Sequence, residues 1–141
     1  MNKPFSSSPI WLNTGLAFVR CVLGGFLIYH GHEIFNGEAM NGYLQWDMFK
    51  DSSSSKTMIY AGKAAELVAG ILFVVGLFTR IAAILTIGTL GYIAFFVGSG
   101  KVWADDQHPF LFVLLGLVFF FTGPGKWSVD HCLFKKKPLY R

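Results

Sequence analysis

The chain has 141 residues, of which 53% are apolar and 14% are charged, and its mean hydropathy is +0.49. A soluble domain of this length needs more polar surface, so the composition indicates one small membrane domain embedded in the lipid bilayer. The net charge of +4 does not predict a nucleic-acid partner, because its basic excess lies largely in a C-terminal tail typical of a cytoplasmic anchor, at Lys135, Lys136, Lys137 and Arg141.

The first three membrane spans follow from two long apolar stretches. The first span is predicted at residues 11–35 and carries Arg20, which we expect to reach the near interface or to bridge to a helix end. The apolar stretch from residue 58 to residue 98 is about twice the ~20 residues that cross a bilayer. It must therefore break at its polar interruption, residues 76–80, which predicts antiparallel spans at 58–78 and 81–98.

A shorter fourth span is predicted at residues 108–122. His108 and Pro109 suit the start of a helix, and the Gly-Pro-Gly sequence at residues 123–125 ends it before the basic tail at 126–141. Between the first two spans, a short interfacial helix is expected within residues 38–50, with an aromatic belt formed by Tyr43, Trp46 and Phe49.

These spans predict an all-α fold, in which residues 1–141 form one antiparallel bundle of four transmembrane helices. Four spans place both chain termini on the same side of the membrane. The side that holds the termini also holds most of the basic residues, among them Arg80 and Lys126. The positive-inside rule therefore predicts a multi-pass protein with cytoplasmic termini in a bacterial inner membrane.

The second span contains an unusual carboxylate, Glu66. It lies ~8 residues beyond Met58, or ~12 Å along a helix axis. A lone carboxylate at that depth would cost several kcal/mol, so Glu66 must be protonated or paired. Lys63, at position i−3, is the nearest candidate partner. Gly62 and Gly70 lie one turn on either side of Glu66 and should let a neighbouring helix come close.

The topology collects ionisable residues from three helices at one depth, in the outer leaflet. We predict Glu66, His30 and Glu33 as the centre of a site, with Lys63, His108 and Asp105 tuning it and Arg20 mainly structural. His32 lies on the wrong face of its helix to join His30 easily. The other groups at this depth begin the fourth span, at Asp105, Asp106 and His108.

Three interpretations of this polar cluster stay open. It can be a structural network that holds the bundle together. It can be a pocket for a quinone, in which a histidine donates to a carbonyl and Glu33 or Glu66 handles a proton. It can also be a metal site, but bundle sites favour a repeated Glu-x-x-His motif, whereas one His-x-x-Glu occurs here. That weaker alternative would use His30, Glu33, Glu66 and His108. An open cavity lined by His30, Glu33 and Glu66 would favour a pocket, and a closed, fully paired network would favour a structural role.

An ordered set of short motifs runs through the chain and comprises Arg20, His30-Gly31, Ala65-Glu66-Leu67, residues 76–80 and residues 123–130. Over residues 14–132 this set resembles the DoxX family of small four-helix bacterial membrane proteins. The Glu-Ile-Phe after His32 and the Asp-Gln-His-Pro before the fourth span are similar to a Bacteroidetes-type branch. The chain departs from many members at Ile34, near which they have a lysine.

The resemblance implies a fold and a setting more than a reaction. The family is linked to thiosulfate–quinone oxidoreductase and quinol oxidation, and similar proteins are described as accessory components of membrane redox systems or oxidative-stress complexes. Because the sequence holds no haem, flavin or iron–sulfur motif, electron transfer would need quinone or a larger oxidoreductase partner that carries the cofactor. The resemblance thus implies a small accessory redox subunit, without an intrinsic cofactor. The alternative is a non-enzymatic interaction or assembly subunit of a larger membrane complex.

Overall fold

The computed structural model describes residues 9–50 and 54–134, and these parts of the chain contain helices and no strand. Helices α1, α3, α4 and α5 form the bundle, while α2 and α6 are short. The bounds are α1 Leu12–Gly31 with a 3-10 turn at His32–Phe35, α2 Gly37–Leu44, α3 Ser55–Val75, α4 Thr79–Tyr92 with a π turn at Ile93–Val97, α5 Gln107–Thr122, and α6 Val129–Phe134.

Three of these segments are long and apolar enough to cross a membrane: Leu12–Phe35, Ser55–Val75 and Thr79–Val97. The fourth apolar helix, Gln107–Thr122, has 16 residues, or ~24 Å at ~1.5 Å per residue. The predicted helical membrane bundle is confirmed. The bounds differ most for α3, which is Ser55–Val75 where the sequence predicted 58–78, and next for α4 with its π turn, which is Thr79–Val97 where the sequence predicted 81–98.

Glycines bring α1 and α3 into close contact. A Cβ added to Gly24 would lie 2.7 Å from the carbonyl oxygen of Gly70, and one added to Gly70 would lie 2.7 Å from the backbone nitrogen of Ile28. Such an approach is typical of helix pairs in membranes, where small residues let two backbones meet. The close packing predicted for Gly70 is therefore present. Gly62 does not share it, since a Cβ added there would come no closer than 3.8 Å to the side chain of Thr89 in α4.

Helices α4 and α5 complete the bundle around one apolar core. Phe73 of α3 and Phe119 of α5 are fully buried, and their ring centroids lie 5.5 Å apart. Large apolar side chains elsewhere on the helices are exposed, as expected for surfaces that face lipid. The bundle thus has two polar ends, which we call the α2 end and the α6 end after the short helix that each carries.

The break between α3 and α4 lies at the α6 end. Gly76 (φ 72°) and Phe78 (φ 47°) adopt left-handed backbone conformations there. The carboxylate of Asp130 accepts hydrogen bonds from the backbone N–H groups of Phe78 at 2.6 Å and Thr79 at 2.8 Å. Asp130 therefore satisfies N–H groups that would otherwise be unpaired at the start of α4.

Arg20 also belongs to the α6 end. Its guanidinium donates to the carbonyl oxygens of Pro124 at 2.9 Å and Trp127 at 2.6 Å, and the residue is 3% exposed. This agrees with the expectation that Arg20 bridges to a helix end. Its contacts fasten the chain segment after α5 to α1, so Arg20 lies far from the polar cluster of the α2 end.

Candidate functional site

A cavity of about 750 Å³ lies at the α2 end, between α1, α3, α4 and α5. Most of its wall is apolar, with Leu27, Ile59 and Phe112 among the lining residues. The segment from α2 to residue 50 contributes aromatic side chains to the same wall: Tyr43, Trp46 and Phe49. A cavity of this size, with apolar walls and few polar groups, is typical of a small-molecule site.

The α2 segment lies against this cavity because it has its own packing. Asn36 caps α2 by accepting hydrogen bonds from the backbone N–H groups of Glu38 and Ala39 at 3.0 and 3.3 Å. Met40 and Phe49 are buried with Ile59 of α3 in a second, smaller core. The interfacial helix predicted within residues 38–50 is thus shorter, Gly37–Leu44, and Tyr43 within it packs against this second core.

The polar part of the cavity wall includes four of the predicted site residues: His30, Lys63, Glu66 and His108. They come from α1, α3 and α5, as the predicted topology requires. Glu33 is not among the lining residues, but it contacts Lys63. The cavity is therefore open and has His30 and Glu66 in its wall. Glu33 does not line it and is connected to it only through its ion pair with Lys63.

Lys63 joins two carboxylates in one ion-pair chain. Its ammonium nitrogen lies 2.8 Å from Oε2 of Glu33 and 3.3 Å from Oε2 of Glu66. The Lys63 and Glu66 side chains are 11% and 3% exposed, and that of Glu33 is 28% exposed. Glu66 is thus paired, as its depth requires, and removal of its partner would leave a buried charge.

Tyr43 completes this chain, although the sequence pointed only to an interfacial aromatic residue. Its hydroxyl donates to Oε2 of Glu33 at 2.5 Å, and its ring lies 4.7 Å from the Lys63 ammonium. Burial, and then the hydrogen bond to Glu33, raise the pKa of Tyr43 above its ordinary value. The phenol therefore remains a hydrogen-bond donor over the physiological pH range.

The two histidines lie against each other in the cavity wall. The ring centroids of His30 and His108 lie 5.6 Å apart and those of His108 and Phe112 lie 4.8 Å apart, both pairs in T-shaped contact. Neither imidazole forms a hydrogen bond or an ion pair with the residues that the structure describes. Their nitrogens are therefore available to a ligand, as donors or as acceptors.

Other predicted residues lie outside the cluster. Asp105 lies two residues before the start of α5, and its side chain is 83% exposed, 4.0 Å from Lys101. Asp106 instead binds the backbone N–H groups of Ser99 and Lys101, each at 2.9 Å. His32 is exposed and is not among the residues that line the cavity. The contribution predicted for Asp105 is thus not supported by its position, because the loop before α5 holds it away from the cavity.

The arrangement gives the metal alternative no support. Within residues 9–50 and 54–134, no three His, Cys, Asp or Glu side chains converge as metal ligands. Glu33, which would have to bind such an ion, instead pairs with Lys63 and Tyr43. The polar groups of the cavity wall include two imidazoles, one ammonium group, one paired carboxylate and the hydroxyls of Tyr43 and Thr89, a set better suited to an organic ligand with polar atoms.

Comparisons with known proteins agree with the helical architecture. The DoxX family model matches residues 15–99. An uncharacterized protein of Haemophilus influenzae is 30% identical over 131 residues, which cover 86% of this chain and 92% of that protein. A protein of Bacillus subtilis named "Putative oxidoreductase CatD" is 29% identical over 138 residues, 97% of this chain and 95% of its own length.

A third relative, an uncharacterized membrane protein of Mycobacterium tuberculosis, is 38% identical over 85 residues, 50% of this chain and 52% of its own length. No solved structure gives a significant match. The family match covers most of the four-helix region, including Arg20, His30, Lys63 and Glu66. The chain belongs to the DoxX family of membrane proteins.

Proposed function

We propose that this protein binds a quinone in the cavity at the α2 end, as a small accessory subunit of a membrane redox system. The observation that carries the proposal is the 750 Å³ cavity, whose apolar walls meet two unpaired histidines and a buried carboxylate. A quinone has the matching form, with a flat apolar ring and two carbonyl acceptors. An amphipathic site of this kind favours such a ligand over a purely apolar one, which would leave the histidines unpaired.

The side chains have distinct roles in this proposal. The N–H of His30 or His108 donates to a carbonyl of the ring, and the aromatic residues Trp46 and Phe112 pack against its faces. Glu66 and Lys63 hold a proton beside the same carbonyl. Reduction of a quinone to a quinol takes two electrons and two protons, so we assign the electrons to a cofactor-bearing oxidoreductase partner.

The setting of the proposal rests on the family and on charge. A relative over nearly the full chain is named as an oxidoreductase, which supports a redox context. The basic residues Arg80 and Lys126 lie at the α6 end, and the positive-inside rule favours that end in the cytoplasm. We therefore place the quinone pocket in the outer leaflet of a bacterial inner membrane, with both termini inside.

Fluorescence of Trp46 tests the proposal, because this side chain lines the cavity. Ubiquinone-1 and menadione are titrated into the detergent-solubilised protein, and the Trp46→Phe variant gives the signal of the other tryptophans. We expect saturable quenching from Trp46 and at least tenfold weaker binding in His30→Leu. The matched control is His32→Leu, at an exposed histidine two residues away. Quenching that never saturates, or equal losses in both histidine variants, would contradict the proposal.

One observation favours a second function, as a non-enzymatic assembly or interaction subunit. The chain of Tyr43, Glu33, Lys63 and Glu66 ties α2 and the end of α1 to α3, which is what a purely structural network does. On this alternative the cavity binds no quinone, and the protein is recovered with a specific larger membrane protein. Glu66→Gln would then lower both the thermal stability and the recovery of the complex. Neither the wild-type protein nor the variant would show saturable quenching by quinone.

A further inference from the structure

A second cavity, of about 590 Å³, lies at the α6 end and has no part in the site above. Its polar lining comes from the start of α1, the start of α4, the end of α5 and the chain after it: Asn13, Thr79, Arg80, Thr122, Lys126, Asp130 and His131. We propose that this cavity binds the phosphate headgroup of an anionic phospholipid. The proposal is independent of quinone binding, because the two cavities share no lining residue.

Hydrogen bonds across the chain fix the walls of this cavity. Asn13 accepts a hydrogen bond from the backbone N–H of Lys126 at 3.1 Å, which joins α1 to the segment after α5. Asp130 joins α6 to α4 through the N–H groups of Phe78 and Thr79. Because these bonds lie within the protein itself, they hold the backbone that carries the basic residues of the lining, and ligand binding has little backbone to order.

The cavity has an excess of uncompensated positive charge. Within the described residues, neither Arg80 nor Lys126 forms an ion pair or a side-chain hydrogen bond. The nearby carboxylate, Asp130, uses both oxygens on the backbone of α4. An anion entering the cavity would therefore meet cations whose charges are not already neutralised.

The apolar part of the lining argues for a lipid over free phosphate. Ile81 lines the cavity and is exposed, and the next turn of α4 carries the exposed Ile84. The rings of Phe78 and Phe134, also in the lining, lie 6.2 Å apart. Since Arg80 is the second residue of a helix long enough to span the membrane, its charge sits at headgroup depth and the isoleucines follow toward the acyl chains. Guanidinium binds phosphate through paired hydrogen bonds.

Native mass spectrometry in mild detergent tests this inference. The protein is titrated with phosphatidylglycerol, with phosphatidylcholine and with inorganic phosphate. We expect saturable binding of phosphatidylglycerol, at least tenfold weaker in the double variant Arg80→Gln/Lys126→Gln. The matched control is Lys56→Gln/Lys101→Gln, which removes the same charge from exposed positions at the α2 end. A charge-preserving variant, Arg80→Lys/Lys126→Arg, should keep binding within about threefold.

Three results would overturn the inference. The first is equal phosphatidylglycerol binding by the wild-type protein and the Arg80→Gln/Lys126→Gln variant, and the second is an equal loss in the Lys56→Gln/Lys101→Gln control. The third is saturation by inorganic phosphate without retention of phosphatidylglycerol, which would assign the cavity to a soluble anion. Circular dichroism melting of each variant establishes that binding is compared between folded proteins. Quinone quenching of Trp46 should be unchanged in all of them, so the two proposals fail separately.

Discussion

The two ends of the bundle use buried charge in opposite ways. At the α6 end, Arg20 and Asp130 bind backbone carbonyl and N–H groups, and so fasten chain segments that helices leave unsatisfied. At the α2 end, Lys63 and its two carboxylates bind one another beside an open cavity. Charges bound to backbone groups mark where the fold is held. Charges bound to other side chains, next to unpaired histidines, mark where a ligand can act.

The loss of a charged side chain is expected to destabilise the protein for a different reason at each end of the bundle. Loss of Asp130 exposes backbone groups at a helix end, where water is close and can replace the bond in part. Loss of Lys63 leaves Glu66 with 3% of its side chain exposed and without its counter-ion. Water stabilises an unpaired charge inside the protein much less than it stabilises backbone groups at an accessible helix end. We therefore expect the loss of Lys63 to destabilise the protein more than the loss of Asp130.

Lys63→Met should have the largest effect. It leaves a buried carboxylate without a partner, for which the expected loss is about 3–5 kcal/mol of stability. Thermal melting in detergent checks this loss. Adding Glu66→Gln in the same chain should restore a large part of it, because the uncompensated charge is removed. Failure of the double variant to recover would show that Lys63 stabilises the protein by something other than neutralising Glu66.

Gly70→Ala should destabilise the contact between α1 and α3. The added Cβ would lie 2.7 Å from the backbone of Ile28, so the helices must separate, at an expected cost of about 1–3 kcal/mol. Gly25→Ala is the matched control, since a Cβ there meets nothing within 4 Å. Equal melting temperatures for the two variants would contradict the close packing at Gly70.

Asp130→Ala should have a moderate effect, about 1 kcal/mol, because it removes the cap of α4. Hydrogen exchange at Phe78 and Thr79 should speed up, while exchange in α3 near Glu66 stays unchanged. Asp130→Asn keeps one acceptor oxygen and should lose less. If exchange rises equally at both ends of the bundle, Asp130 does more than cap one helix.

Tyr43→Phe should have the smallest effect at neutral pH, about 0.5–1.5 kcal/mol, because it removes one hydrogen bond to Glu33. Its pH dependence is more specific. Since the folded state raises the pKa of Tyr43, its contribution is fully present below the ordinary tyrosine pKa of about 10 and is lost as pH rises through the raised value. The difference in melting temperature between wild type and Tyr43→Phe should therefore shrink above about pH 10. A constant difference would contradict the assigned hydrogen bond.

Helical periodicity accounts for what the sequence could predict. The pairing of Lys63 with Glu66 follows from their spacing of three residues on one helix. The meeting of His30 with His108 follows from antiparallel spans that end at the same depth. The break at residues 76–80 follows because no single helix of that length fits a bilayer. Each of these features depends on local pattern or on simple topology.

What the sequence could not predict depends on loops and on contacts between distant residues. Tyr43 reaches Glu33 because α2 folds back over the bundle, and Asp130 caps a helix that begins 51 residues before it. Gly62 faces α4, not α1, since helix rotation is set by packing at Gly24 and Gly70. Asp105 misses the cluster because α5 begins at Gln107. No periodic signal encodes any of these contacts.

The central claim is that the α2-end cavity is a quinone site, and photolabelling tests it most directly. The folded protein in bilayer nanodiscs is illuminated with an azido-quinone, and the labelled peptides are identified by mass spectrometry. We predict labels on cavity residues such as Trp46, Met58 and Phe112. Excess ubiquinone-1 should suppress this labelling, and the His30→Leu variant should show less of it. Labels spread over lipid-facing residues such as Phe96 and Phe121, unchanged by competitor, would contradict it.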